Sequence, residues 1–177
     1  MRSKHFGVAA LAVGLCVALA GFGVAQQREK GKAALSDKDF INEVASGGMA
    51  EVKLGQLATE RAGSEEVRNF GKRMVADHSA ANKDFLALLQ KKGMTAPKEM
   101  TRKQQELFDR LSKLRGAEFD RAYMAAMVED HKEDVAHFEG TARDGSDPDL
   151  KAWASKTLPT LKEHLKLAED IQKKLSK

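Results

Sequence analysis

The sequence predicts an all-α protein, a ferritin-like four-helix bundle of two antiparallel hairpins joined by a long crossover with a short extra helix. Three observations lead there. Apolar residues recur at three- and four-residue steps, no segment alternates with period two, and caps and stop residues cut the chain into runs of similar length.

The first 25 residues stand apart. Met-Arg-Ser-Lys-His is a short basic start, Phe6 to Val24 carries no charge, and Gly23-Val24-Ala25 ends on small residues. This is the layout of a secretory signal peptide over residues 1–25, with Gln26 the first mature residue. The alternative is an uncleaved membrane anchor, since ~20 apolar residues span a bilayer. Leu15 before Cys16 argues against a lipoprotein. The localisation expected is therefore exported and periplasmic, with membrane attachment only if the segment is retained. Cys16, the one cysteine, leaves with the signal, so an apolar core and not a disulfide must hold the mature chain.

Without Arg2 and Lys4 the mature chain has 28 basic and 26 acidic residues, interspersed rather than clustered. That mixture gives no phosphate-tracking surface, so no nucleic-acid partner is expected, and protein partners are not identified.

Residues 26–35 are polar and unpatterned, a flexible lead-in, and the bundle occupies 36–177. Ser36 caps a first helix running to about Ala62, with Asp37 and Asp39 in its first turn. Gly63 stops it, and Ser64-Glu65-Glu66 opens a second that reaches about Lys92 before Gly93. Thr101-x-x-Gln104 is a capping-box pattern for a shorter helix ending near Gly116. A fourth covers about Ala117 to Ala142. Asp147-Pro148, an N-cap followed by proline at the first helical position, starts the last. The four long helices measure roughly 40 Å each at 1.5 Å per residue.

One motif occurs twice. Residues 74–85 read MVADHSAANKDF and residues 127–138 read MVEDHKEDVAHF, 53 positions apart. In a bundle of this connectivity the second and third long helices run parallel, which places His78 beside His131. Each long helix puts one metal-competent residue into its apolar seam. Val44, Gly48, Glu51, Gly55 and Ala58 frame Glu51 on the first helix, and Phe70, Met74, His78 and Phe85 frame His78 on the second. Met127, His131 and Phe138 frame His131; Leu161, His164 and Ala168 frame His164, although Pro159 nearby can kink its helix.

Three imidazoles and a carboxylate suit one transition-metal ion, iron, zinc or copper. The competing reading is a metal-free Glu–His network that sets helix register. Asp77 and Asp130 precede the repeated histidines by one residue. They either orient the imidazoles or, as favoured here, cross the seam edge to pair with lysines. Met74 and Met127 lie one turn before the histidines and become ligands if the metal is copper, though core filling is the commoner role. Glu133, Asp134 and His137 are expected at the surface.

The runs FINEVASGGMAEVKLGQLATERA, VRNFGKRMVADHSAAN, FDRAYMAAMVEDHKEDVAHFE and LKAWASKTLPTLKEHLKLAEDI resemble the exported ferritin-like family catalogued as domain of unknown function 4142. The resemblance spans about Asp37 to Ile171. It implies a ferritin-like bundle outside the cytoplasm, carries the label of a membrane protein, and implies no reaction. Nor does it bring di-iron chemistry, which uses a Glu-x-x-His pair on each of two helices. Three residues before the histidines stand Val75, Val128 and Leu161.

No nucleophile–base arrangement and no Gly-rich phosphate loop is present, so no catalytic residue is assigned. The function expected is an exported metal-binding bundle in metal handling or stress protection, non-enzymatic in its preferred form. A structural or interaction module and a redox metalloenzyme are the two alternatives.

Overall fold

The computed structural model describes residues 34–177, which form five α-helices and no strand longer than an isolated bridge. The expected signal segment, 1–25, and most of the expected lead-in, 26–35, lie outside the described residues. Among those described, no helix is long and apolar enough to cross a membrane.

Each helix starts where its cap dictates. α1 (Asp37–Arg61) begins after Ser36, whose hydroxyl accepts from the Asp39 amide. α2 (Glu65–Lys91) follows Ser64, which accepts from Glu66 N. It ends in a Schellman turn: Gly93, at φ 65°, lets Met94 N donate to Leu89 O and Gly93 N to Gln90 O. The Thr101–Gln104 capping box forms reciprocally at the head of α3 (Arg102–Ser112). α4 (Gly116–Asp144) runs two residues past Ala142 before Gly145 caps it. Asp147 accepts from both Asp149 N and Leu150 N to start α5 (Pro148–Leu175), which stays helical through Pro159.

The three-residue link between α1 and α2 makes them an antiparallel pair, and α4 and α5 pair in the same way. α1 also touches α4 and α2 touches α5, while α3 packs on α1 and the start of α4. Ala62 bridges Gly116, and the buried Asp120 carboxylate accepts from Gly63 N at 3.0 Å and Ser64 N at 2.8 Å. These bonds fasten the head of α4 to the α1–α2 turn. α4 therefore runs in the same direction as α2, diagonally across the bundle from it, since each packs on α1 and α5.

The hydrophobic core is split in two. One cluster gathers Leu54, Phe70, Met74, Tyr123, Met127 and Ala168; the other gathers Phe40, Phe85, Leu89, Phe138, Leu150 and Leu161. Along each long helix the switch from one cluster to the other falls at the same level. Val44 gives way to Leu54 across Glu51, Met74 to Phe85 across His78, Met127 to Phe138 across His131, and Leu161 to Ala168 across His164. A polar layer thus lies between two apolar ones.

Candidate metal centre

Glu51, His78, His131 and His164, the metal-competent residues of the four helix seams, meet in that layer. Glu51 is 3% exposed, His78 6%, and His131 and His164 0%. The imidazole centroids form a triangle: His78–His131 5.8 Å, His78–His164 5.2 Å and His131–His164 5.5 Å. One donor atom from each ring lies within 4.8 Å of the others.

Each ring has one nitrogen occupied from behind. His131 Nδ1 sits 3.0 Å from the Met127 carbonyl, an acceptor only, so this nitrogen carries the hydrogen. His78 Nδ1 lies 2.7 Å from Glu51 Oε2. His164 Nε2 lies 2.8 Å from Asp77 Oδ2. A neutral imidazole that donates from one nitrogen offers a lone pair at the other. Those other nitrogens, His78 Nε2, His131 Nε2 and His164 Nδ1, are buried and have no hydrogen-bond partner.

Electrostatics keeps the rings neutral. Burial lowers the His78 proton affinity to a pKa of about 4, against partial restoration by Asp130 and Asp77. Burial lowers His131 to about 3, helped by the nearness of His78 and His164. His164 falls to about 4, again chiefly by burial, although Asp77 opposes the change. Glu51 moves the other way: burial raises its pKa well above the ordinary carboxylate value, and Asp130 adds to the rise.

Asp77 does orient an imidazole, contrary to the favoured expectation of a lysine pair. It is anchored by Arg73 Nε at 3.1 Å, and Arg73 is itself held by Glu163 at 2.7 Å. Burial alone would raise the Asp77 pKa, but the bonds from His164 and Arg73 outweigh it and lower it. Asp130 is half-buried and shares a second group of close donor atoms with Glu51 and His131. Burial raises its pKa to about 6. Met74 and Met127 are wholly buried in the first apolar cluster, and Met127 meets His131 through its carbonyl.

Two expectations of surface placement fail. His137 is buried and Asp134 half-buried, with burial, Glu51 and Asp130 raising the Asp134 pKa well above the ordinary value. Glu133 is exposed as expected. α4 touches α1, α3 and α5, so its buried arc is wider than a two-residue seam. Asp134 stands three residues after His131, a same-face spacing visible in the sequence. Asp120 was also missed, because its amide partners are 56 and 57 residues away. The Ser46 and Ser155 hydroxyls donate to backbone carbonyls one turn earlier.

No curated protein matches the chain. Two solved structures share the fold. A DUF305 protein from Streptomyces coelicolor, designated secreted, is 16% identical with a TM-score of 0.66, covering 77% of this chain and 90% of that one. A DUF305 fragment from Deinococcus radiodurans is 14% identical with a TM-score of 0.69, covering 81% and 99% respectively. At such identities the likeness extends to the fold alone. The family described as Domain of unknown function (DUF4142) matches residues 23–171, and the chain belongs to it.

Proposed function

We propose that the protein is an exported, ferritin-like four-helix bundle that holds a transition-metal ion on His78 Nε2, His131 Nε2 and His164 Nδ1, serving in metal handling or stress protection. One observation carries this reading: three buried imidazoles, each with one nitrogen engaged from behind and the other without a partner, bring one donor atom apiece within 4.8 Å of the others. Unpartnered buried polar atoms cost about 1–3 kcal/mol each. A metal-free network that only set register would pair them; a bound cation satisfies all three together.

The donor set suits zinc, copper or ferrous iron, and the outer acceptors Met127 O, Glu51 and Asp77 match the way metal-bound histidines are usually braced. Glu51 supplies a negative charge beside the ion. Export rests on the basic start, the uncharged run from Phe6 to Val24 and the small residues before Gln26.

Elemental analysis of untagged protein, purified without chelator from the compartment it reaches, tests the reading. About one equivalent of zinc, copper or iron is expected. The His78→Ala/His131→Ala variant should keep its helical circular dichroism and lose the metal. Native protein that is metal-free and resists loading with all three ions refutes the proposal.

A further inference from the structure

Glu51 Oε1 is buried without a hydrogen-bond partner, 3.4 Å from His131 Nε2, which also has none. His131 Nδ1 is already committed to the Met127 carbonyl. Its Nε2 is therefore a bare lone pair turned toward a carboxylate oxygen, an arrangement without attraction unless a proton or a cation lies between. At 3.4 Å between two acceptors the separation is long for a shared proton and natural for a shared cation. Asp130 supplies a second oxygen, since one donor atom from each of Glu51, Asp130 and His131 lies within 4.8 Å of the others.

We infer that the centre has two cation stations, an inner one on His78, His131 and His164 and an outer one on Glu51, Asp130 and His131, with His131 Nε2 common to both. This rests on the metal-binding reading above and assigns the approach to the site. His131 has a single free donor, so the two stations cannot be filled at once; His131 is the pivot over which the ion passes. The outer station faces the α1–α4 side. There Asp134 is half-buried, and Glu43 and Glu133 are exposed nearby against Lys103, so carboxylates outnumber basic groups on the way to Glu51. On the α2–α5 side, the carboxylate behind His164, Asp77, is already engaged by His164 and by Arg73, which also bonds Glu163. The outer station, with two oxygens and one nitrogen, takes a borderline divalent ion such as cobalt(II), zinc(II) or iron(II).

Cobalt(II) titration of the untagged full chain, followed by visible absorption and stopped flow, tests this. Native protein is expected to bind one equivalent. Asp130→Asn should bind it with nearly unchanged affinity but load about tenfold more slowly, as loss of a steering charge implies. His164→Leu should retain one equivalent at about 10–100-fold weaker affinity, and adding Asp130→Asn to it should abolish binding. If His164→Leu does not fold, His164→Gln, which can still bond Asp77, takes its place. Two results overturn the two-station inference and leave the three-histidine site standing: Asp130→Asn without effect in either background, or no binding by the folded His164 variant. Asp130→Asn abolishing binding in the native background also overturns it, by making Asp130 part of a single site. Native protein that binds no cobalt(II) overturns the metal-binding reading itself.

Discussion

His164 shows how much of the centre depends on residues behind it. Asp77 fixes its Nε2 hydrogen and so turns Nδ1 inward, while Arg73 keeps Asp77 in place. Asp77→Asn removes the charge but keeps the shape, and should weaken zinc affinity by about 10–100-fold in a chelator competition with the helical content unchanged. A second residue-scale expectation concerns pH. His78, His131 and His164 have folded pKa values of about 4, 3 and 4, below the ordinary value of 6.5. Between those limits the unfolded chain takes up protons that the folded one refuses, so the stability these rings contribute is intact above 6.5 and drains away as pH falls toward 4. Glu51 and Asp130, with raised pKa values, oppose this by accepting protons in the fold. Replacing one ring isolates its share. Metal-free His131→Gln, denatured with urea at stepped pH, should lose stability less steeply than native protein between pH 6 and 4, by about 1.4 kcal/mol per pH unit. Equal slopes would mean that His131 is protonated in the fold.

At the scale of the helix, α1 and α2 approach through glycine. A Cβ on Gly55 would stand 2.8 Å from the Gly71 carbonyl oxygen and 3.1 Å from Met74 Cβ, and one on Gly48 would collide with Asn82. Helix propensity alone would favour Gly55→Ala by about 1 kcal/mol. The backbone contact should reverse that sign, with a net loss of about 1–2 kcal/mol by urea denaturation. Much at this scale was legible in advance. Ser36, Ser64, Thr101 and Asp147 announce helix starts because a cap bonds amides within three residues, so cause and effect share one short stretch. Seam membership of Glu51 and the three histidines was legible for the same reason, since a helical face is set by local spacing. The Asp120 latch, the burial of Asp134 and His137, and Asp77 bonding His164 were not. Each depends on which helix lies opposite, and the packing of α4 against three neighbours is decided by the whole chain.

For the molecule as a whole, binding linkage converts occupancy into stability. If the ion binds the folded chain and not the unfolded one, zinc at a hundred times its dissociation constant should add about 2.7 kcal/mol and raise Tm by roughly 5–10 °C. The His78→Ala/His131→Ala variant should show no such shift by differential scanning calorimetry. The arrangement of the helices bears on where that added stability acts. α1 packs chiefly on α2 and α4 on α5, and the two hairpins meet through the divided core. His78 belongs to one hairpin; His131 and His164 belong to the other. Cys16 is the one cysteine of the sequence, so no disulfide can join the hairpins, and the Asp120 latch grips them at one end only. An ion held at mid-height would act as a rivet through the seam between two plates, setting how far they can slide or part without altering the shape of either.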